Sequence, residues 1–256
     1  MKRMRMFVST VGVLLAWAAH AGPAAPTYAV ISLVGDKIDV VTYQPEVGSQ
    51  LDSNSHMPLA LSQDDLDTAA LRAVNRSLLA AAPGAQIALL AASKPDSFEK
   101  QDRIFDGNRA ALPAEIDAAV RREGAGLLVL VTKHRGDARL QVANGYVGSG
   151  KIDGLGFYMD TGMRTRERET GIQSVGYIAP FVYIDVSVVD LATSTVLRHE
   201  TIMSGRVIGS STKGQAVHPW DTLTGEQKVA TLKAMLSREL ERVVPSLITG
   251  ATVKAE

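Results

Sequence analysis

The stretch LLVLV, from Leu127 to Val131, contains only aliphatic residues. Side chains of a β-strand alternate between the two faces of its sheet, and a strand that is apolar on both faces has to be covered on both. The stretch therefore predicts a central strand in a sheet that has other elements packed against each face.

A second regular strand is predicted further along the chain. In FVYIDVSVV, Phe181 to Val189, every second residue from Val182 to Val188 is aliphatic, which gives one apolar face. Asp190 to Thr195 predicts a turn, and Val196 to Ser204 a returning strand.

Helical stripes flank these strands. Apolar residues recur every three or four positions in Leu66 to Ala81, in Leu112 to Val120 and in Val229 to Val243. The last stripe follows Thr224-x-x-Gln227, the spelling of a capping box, and Pro245 predicts its end. Three amphipathic helices are therefore expected.

The remaining β signals complete the predicted fold. Tyr28 to Tyr43 predicts a hairpin that turns at Gly35-Asp36, and Ile87 to Ala92 predicts a short buried strand. Arg135-Gly136-Asp137 predicts a tight turn. The fold class expected is α/β (α+β): a mixed β-sheet with helices packed on it, and a long Gly-rich loop or hairpin insertion at about 145–176.

The amino terminus has the layout of a secretory signal peptide. Lys2, Arg3 and Arg5 precede a short apolar run, and Ala19-His20-Ala21 offers a small-x-small cleavage site. We expect residues 1–21 to be removed and residues 22–256 to form a single α/β domain in the periplasm or outside the cell.

Composition narrows the classes of function. The chain of 256 residues has no cysteine and a formal charge of zero, and removal of the leader with its three basic residues leaves a charge of −3. A mildly acidic protein has no electrostatic attraction for nucleic acid. We also expect no membrane span in the mature chain, because no later apolar run is long enough.

One motif resembles a nucleotide site. Gly145 to Lys151 matches the G-x-x-x-x-G-K spelling of a phosphate-binding loop. Such a loop needs a helix directly after it, whose N–H groups point at the phosphate. The residues after Lys151, IDGLGFYMD, show no helical period, so we expect no nucleotide and no cofactor here.

A second motif suggests an enzyme. Ser210-Ser-Thr-Lys213 spells S-x-x-K, the nucleophile motif of periplasmic penicillin-binding enzymes, in which the lysine amine takes the proton of the serine hydroxyl. That chemistry needs both residues on one helical turn, and no helical stripe follows here. A polar loop is the favoured interpretation. An envelope serine hydrolase using Ser210 and Lys213, or a site at His218 and Asp221, is the alternative.

Histidines give no metal motif. His56, His134, His199 and His218 remain after the leader, none at i, i+4 spacing and none in H-E-x-x-H. We expect no metal site, and we expect His199 to pack within the returning strand.

The segment Gly145 to Gly176 is the candidate contact region. It is rich in glycine and shows no clean period, and long segments of this kind are often functional. It combines aromatic and guanidinium side chains, which favour protein contacts. The residues predicted to bind a partner are Phe157, Tyr158, Arg164, Arg166 and Arg168.

Two stretches carry a resemblance to known families. A helix leads through Ala125-Gly126 into LLVLV, and the strand from Phe181 ends in VVDLATSTVL. This pattern resembles extracytoplasmic α/β domains of the curli-secretion lipoprotein family and the amino-terminal domain of the translocation protein TolB. The resemblance implies an assembly or interaction role in the cell envelope, without catalysis. A small-ligand-binding protein, with its pocket at the strand ends, is a further alternative.

Overall fold

The computed structural model of the protein describes residues 26–35, 37–45, 54–61, 65–92, 95–166, 173–212 and 215–252. Within these ranges four α-helices pack on a mixed sheet, which confirms the predicted fold class. The helices are α1 Asp65–Ala81, α2 Pro95–Glu99, α3 Ala114–Arg122 and α4 Gly225–Thr252, with 3₁₀ turns at Gln101–Arg103 and Pro219–Thr222.

The strands of the main sheet come from most of the described chain. They are β1 Thr27–Ser32, β2 Lys37–Thr42, β3 Ser55–Ala60, β4 Gln86–Ala91, β5 Phe105–Asp106, β6 Arg109–Ala110 and β7 Leu127–Lys133. Four short strands, β8 Arg135–Asp137, β9 Leu140–Val142, β10 Gly145–Val147 and β11 Lys151–Asp153, form pairs outside it. The later strands are β12 Leu155–Arg166, β13 Gln173–Asp190, β14 Thr195–Gly205, β15 Ile208–Gly209, β16 Ser211–Thr212 and β17 Gln215–Ala216, of which β16 and β17 pair only with each other.

The 18-residue strand β13 organises the sheet. Its first half, Gln173 to Val182, pairs antiparallel with β12, and its second half, Ile184 to Asp190, pairs antiparallel with β7 on the same side. β14 pairs with it along the opposite side. The sheet therefore continues as β7-β1-β4 at one end and as β12-β2-β3 at the other.

The hairpin predicted over Tyr28 to Tyr43 is wrong. β1 is parallel to β7 and β2 is parallel to β12, so both strands run in the same direction, antiparallel to β13. Gly35 does not reverse the chain. It lets the chain pass close to the first turn of α1, where Asp67 accepts the N–H groups of Val34 at 3.1 Å and Gly35 at 3.2 Å.

LLVLV is the central strand that the sequence predicts. It forms most of β7, which lies between β1 and β13, and Leu128, Val129, Leu130 and Val131 are fully buried. Val129 and Val131 face α1 and α4, whereas Leu128 and Leu130 face α3. Both faces of the strand are therefore covered.

The helical stripes of α1 and α4 form one layer on the sheet, as predicted. The capping box is also confirmed: Gln227 N–H donates to Thr224 Oγ1 and Thr224 N–H donates to Gln227 Oε1. The predicted end at Pro245 is wrong, because α4 continues to Thr252. A proline inside a helix costs about 3 kcal/mol. Burial of Leu247 and Ile248 beyond it, each worth about 1.5–3 kcal/mol, offsets that cost.

Two elements cover the opposite face of the sheet. α3 packs over β1 and β7. Residues 134–154, the β-arm, leave the sheet after β7, pair β8 with β11 and β9 with β10, and return into β12. Its apolar side chains cover β12 and the first half of β13. The turn predicted at Arg135-Gly136-Asp137 is wrong, since these residues form β8; the chain reverses at Ala143-Asn144.

The segment over 145–176, predicted as a long Gly-rich loop or hairpin insertion, consists mostly of β-strands in its described residues. Over 145–176 the described residues contain β10, β11, all of β12 and the start of β13, and β12 and β13 form an antiparallel pair. Its glycines are used where the backbone turns, as at Gly150 and Gly154, both with positive φ. Part of the glycine-rich composition there is therefore explained by positions with positive φ, which glycine adopts without strain.

We predict that Gly35→Ala lowers the free energy of unfolding by about 1–3 kcal/mol, because a Cβ would lie 2.5 Å from Asp67 Oδ2 and 2.8 Å from its backbone nitrogen. Gly225→Ala is the matched control, since no atom lies within 4 Å of the Cβ position there. Denaturant unfolding measures both variants. Equal midpoints would show that the approach of α1 to the β1–β2 junction carries no constraint.

Candidate functional site

Beyond Asp160 and Tyr177, β12 and β13 extend away from the rest of the sheet. The last residues that β12 pairs with β2 are Met159 and Thr42, and β15 reaches only Tyr177 and Ile178 on β13. In the described chain, Thr161–Arg166 and Gln173–Gly176 therefore pair as strands only with each other. We call this two-stranded extension the ribbon.

The root of the ribbon is fixed by a bulge. Three residues of β12, Thr161 to Met163, lie opposite Gly176 alone. Asp160 Oδ1 accepts the N–H groups of Gly162 at 2.7 Å and Met163 at 2.9 Å, which holds the extra residues in a tight turn. Gly176 has φ +92°, and a Cβ there would lie 2.7 Å from the carbonyl oxygen of Asp160.

The ribbon exposes apolar side chains beside a charged one. Val175 is 55% exposed and Met163 is 40% exposed. Val175 lies opposite Arg164, which is exposed. A two-stranded hairpin alone is only marginally stable in water, and nothing in the described structure buries these side chains. The combination is typical of a contact surface.

The predicted partner-binding residues divide into three groups. Arg164 lies on the ribbon, and Arg166 ends β12 with a side chain outside the described part; Arg168 is itself outside the described residues. Phe157 and Tyr158 lie on β12 before the ribbon and are fully buried. Their side chains are therefore not at the surface, contrary to the sequence-based expectation.

The two buried aromatic residues support the root of the ribbon from opposite faces of the sheet. Phe157 packs edge-on against Trp220, with ring centroids 5.9 Å apart. Tyr158 stacks on Tyr177 at 6.3 Å, and its hydroxyl oxygen accepts the N–H of Ser149 in the β-arm. Burial raises the pKa of both tyrosine hydroxyls. These residues fix where the ribbon begins.

Ser210 also stabilises the ribbon through hydrogen bonding. Its side chain is fully buried, and its hydroxyl lies 2.9 Å from the carbonyl oxygen of Val175 and 2.8 Å from that of Gly176. Ser210 follows β15 and precedes β16, so the helical turn that S-x-x-K chemistry requires is not formed there. Lys213 lies outside the described residues. The described geometry gives Ser210 a structural role instead of a nucleophilic one.

The other catalytic candidate is also used in local structure. His218 Nδ1 accepts the N–H of Trp220 at 3.3 Å, and Asp221 N–H donates to the carbonyl of His218. These bonds start the 3₁₀ turn Pro219–Thr222. Lys151, from the phosphate-loop spelling, begins β11 and pairs with Asp137 at 2.5 Å, with no helix after it.

The structure forms a polar cluster that the sequence did not predict, on the α3 face of β13 and β14. Asp185 Oδ2 lies 3.1 Å from His134 Nδ1, and Asp185 Oδ1 accepts the Thr201 hydroxyl at 2.6 Å. His199 lies with Nε2 3.4 Å from Asp185 Oδ1 and Nδ1 3.1 Å from Ser187 Oγ. The strand register, in which Asp185 lies opposite Thr201 and Ser187 opposite His199, brings these residues together.

The cluster contains serine, histidine and aspartate but lacks other parts of a hydrolytic site. Ser187 is only 1% exposed, and β13 is paired with β7 and β14 on both sides at this position. Its neighbouring N–H groups are therefore committed to the sheet and do not form an oxyanion hole. Among the described residues, no three His, Asp or Glu side chains are arranged to hold a metal ion.

We predict that Asp185→Asn lowers the free energy of unfolding by about 1–3 kcal/mol, because the amide cannot accept hydrogen bonds on both of its terminal atoms. Glu200→Gln, which neutralises an exposed carboxylate on the adjacent β14, is the matched control and should change stability little. Thermal and urea unfolding give the two values. A variant at 185 as stable as the control would contradict a structural role for the cluster.

A cavity bears on the ligand-binding alternative. About 270 Å³ lies between the carboxyl ends of β1 and β4 and helix α3. The lining is mostly apolar, with the Ser97 hydroxyl donating to Glu115 at 2.6 Å. Pockets for drug-sized ligands measure about 300–1,000 Å³, and the volume of this cavity is near the lower end of that range.

Comparisons with known proteins assign no family. No protein-family model matches the chain, and no curated protein matches it in sequence. A Xanthomonas campestris protein described as family DUF330 is similar in structure, with a TM-score of 0.40, 13% identity, and coverage of 92% of this chain and 94% of that one. A PelC dodecamer from Paraburkholderia phytofirmans gives a TM-score of 0.33, 12% identity, and coverage of 90% and 93%.

A protein from Helicobacter pylori described as a neuraminyllactose-binding hemagglutinin homolog is also similar, with a TM-score of 0.40, 8% identity, and coverage of 91% and 92%. Identities and TM-scores in this range assign neither a family nor a function. The resemblance to the curli-secretion lipoprotein family and TolB gains no support from these comparisons and stays a prediction. In the described part of the chain, no helix combines the length and apolarity that crossing a membrane requires.

Proposed function

We propose that this protein is exported and acts by binding another component of the cell envelope, without catalysing a reaction, and that the ribbon is its contact surface. The observation that carries the proposal is the ribbon itself. It extends beyond the sheet and exposes Met163 and Val175 beside Arg164.

The energetics favour a contact there. Full burial of a methionine or valine side chain is worth about 1.5–3 kcal/mol, so covering two half-exposed side chains is worth about 2 kcal/mol in total. That is more than a tenfold change in affinity. The polar groups of the exposed strand edges can add hydrogen bonds to an extended segment of the partner.

Pre-organisation strengthens the same argument. Asp160 holds the bulge, Ser210 holds the carbonyls of Val175 and Gly176, and Phe157 and Tyr158 anchor the strand before it. A surface held in place before binding loses less conformational entropy when the partner arrives. The buried residues predicted as contacts thus contribute indirectly, by positioning the ribbon.

Charge indicates the kind of partner. Arg164 is on the ribbon, and Arg166 and Arg168 follow it in the sequence, alternating with Glu167 and Glu169. Guanidinium groups beside apolar side chains suit a partner surface that combines carboxylates with an apolar patch. Such charges mainly raise the rate of association, and salt weakens their effect.

We predict that the protein isolated from the cell envelope begins at Gly22. Cleavage after Ala21 follows from the basic start, the short apolar run and the small residues at 19 and 21. Amino-terminal sequencing of material from fractionated cells measures this. Ala21→Arg should block processing, whereas Ala25→Arg, beyond the cleavage site, should not. Unprocessed protein in the cytosolic fraction would remove export from the proposal.

We predict that the double variant Met163→Gln, Val175→Thr reduces capture of the envelope partner about tenfold or more, because it keeps side-chain size while removing the apolar contact. Met203→Gln is the matched control, since Met203 is 45% exposed on β14, outside the ribbon. Tagged mature proteins are used to capture partners from detergent-solubilised envelopes, and bound proteins are quantified by mass spectrometry.

Two outcomes would contradict the binding proposal. One is a captured set that both variants retain equally, which would place the contact elsewhere. The other is the absence of any protein enriched over a mock capture. All three substituted residues are exposed, so we expect each variant to fold normally. Circular dichroism and unfolding of each variant check that a loss of capture is not caused by a loss of fold.

A further inference from the structure

Outside the ribbon, the described sheet has three long edges, and two of them carry features that oppose pairing. β3, at one end, contains Pro58, which lacks a backbone N–H. The outer side of β14, which β6 pairs only at Thr195, carries Arg198 and Glu200. Proline and charged residues are the usual means by which natural sheets prevent an edge from joining another strand.

The third edge, β4, carries neither feature. Its sequence QIALLA contains no charge and no proline, and among the described strands it pairs only with β1. Leu89 is 43% exposed, and Gln86 and Ala91 are also exposed. An open apolar edge of this kind favours the addition of a further strand.

The hydrogen bonds of β4 show which backbone groups are left to join a new strand. Gln86 N–H donates to the carbonyl of Pro26 at 3.2 Å, so even-numbered residues of β4 point toward β1. In an extended strand the N–H and C=O groups of successive residues point to opposite sides. The groups of Ile87, Leu89 and Ala91 therefore point outward.

We propose that β4 pairs antiparallel with β4 of a second copy of this chain, around a two-fold axis at Leu89. In this register Leu89 lies opposite Leu89 of the partner subunit, and Ile87 lies opposite Ala91 of the partner subunit. The outward groups of these residues exchange six hydrogen bonds. The two sheets then join into one.

Side-chain sizes in β4 are complementary to those of a second copy in this register. Two of the large residues lie opposite small ones, Ile87 opposite Ala91 and Leu90 opposite Ala88 of the partner subunit. Leu89 lies opposite its own copy on the two-fold axis. Another register that uses the outward groups, centred on Ala88, would place Gln86 opposite Leu90 and leave alanine opposite alanine. β4 carries no charged residue, so no like charges face each other within the proposed strand pair.

The apolar surface beside β4 and the area that the strand pair buries bear on the affinity of the dimer. Leu89 lies opposite Val30 of β1, on the sheet face covered by α1, and α1 exposes Leu79, which is 51% exposed. A stable dimer buries about 1,200–2,000 Å² in total, more than one six-residue strand pair offers. We therefore expect a dissociation constant of about micromolar, within the range that sedimentation equilibrium resolves.

A cysteine at the two-fold axis tests the proposal directly, because the chain has no cysteine of its own. Directly opposite residues of a hydrogen-bonded antiparallel pair have Cα atoms about 5.5 Å apart, which suits a disulfide. Mature Leu89→Cys should therefore form a disulfide-linked dimer under mild oxidation at micromolar concentration. Ile87→Cys should not, since its opposite residue is Ala91.

Met57→Cys is the control for random collision, because Met57 is 51% exposed on the edge strand β3. Cross-linking of this variant as fast as Leu89→Cys would overturn the proposal. Faster cross-linking at 87 than at 89 would overturn the register. A Leu89→Cys protein that links only to a different envelope protein would overturn self-pairing.

Association without any added thiol provides the second measurement. Sedimentation equilibrium of the mature protein should show a monomer–dimer equilibrium, and Leu89→Lys should shift it toward monomer at least tenfold, because two lysines would then face each other at the axis. Leu79→Lys should have a smaller effect. A mature protein that stays monomeric at about 100 times the expected dissociation constant would overturn the proposal.

Discussion

The whole sheet depends on the unbroken length of β13. The first half of this 18-residue strand pairs with β12, and its second half pairs with β7 on the same side. β12 and β7 therefore lie end to end along one side of β13. β2 and β1 repeat this arrangement one position further out. The chain between β7 and β12 has to leave the sheet and return, and this excursion is the β-arm.

Several of the long elements could be predicted from the sequence because their signals are local. LLVLV is a continuous aliphatic run, whereas the strand at Phe181 to Val189 and the stripes of α1 and α4 are periodic patterns. Tertiary contacts reinforce all of these signals. The pairing of β1 with β2 was predicted wrongly for the opposite reason. Gly35-Asp36 has ordinary turn chemistry, but Gly35 is needed there for its contact with Asp67, 32 residues away, and no local pattern encodes that contact.

The sequence directed attention to residues 145–176, but the burial of individual side chains there depends on tertiary structure. Residues 145–176 do contain the exposed ribbon, yet Phe157 and Tyr158 are buried because β12 is covered on both faces, by Trp220 and α4 on one and by the β-arm on the other. A single sequence does not reveal that double cover. The cluster around Asp185 was missed because it depends on the register of β13 with β14, which brings together residues that have no characteristic spacing.

The two proposed contact surfaces are connected to opposite halves of β13, and this placement constrains how they would work together. The ribbon continues from its first half, whereas β4 is reached through β7 and β1 from its second half. A two-fold axis at Leu89 reverses strand direction in the second copy, so the two ribbons of a dimer would point away from each other. Such a dimer could not close both ribbons on one small partner. It would instead engage two partner molecules, or two distant sites on an extended one, and the avidity gained would depend on the span between those sites.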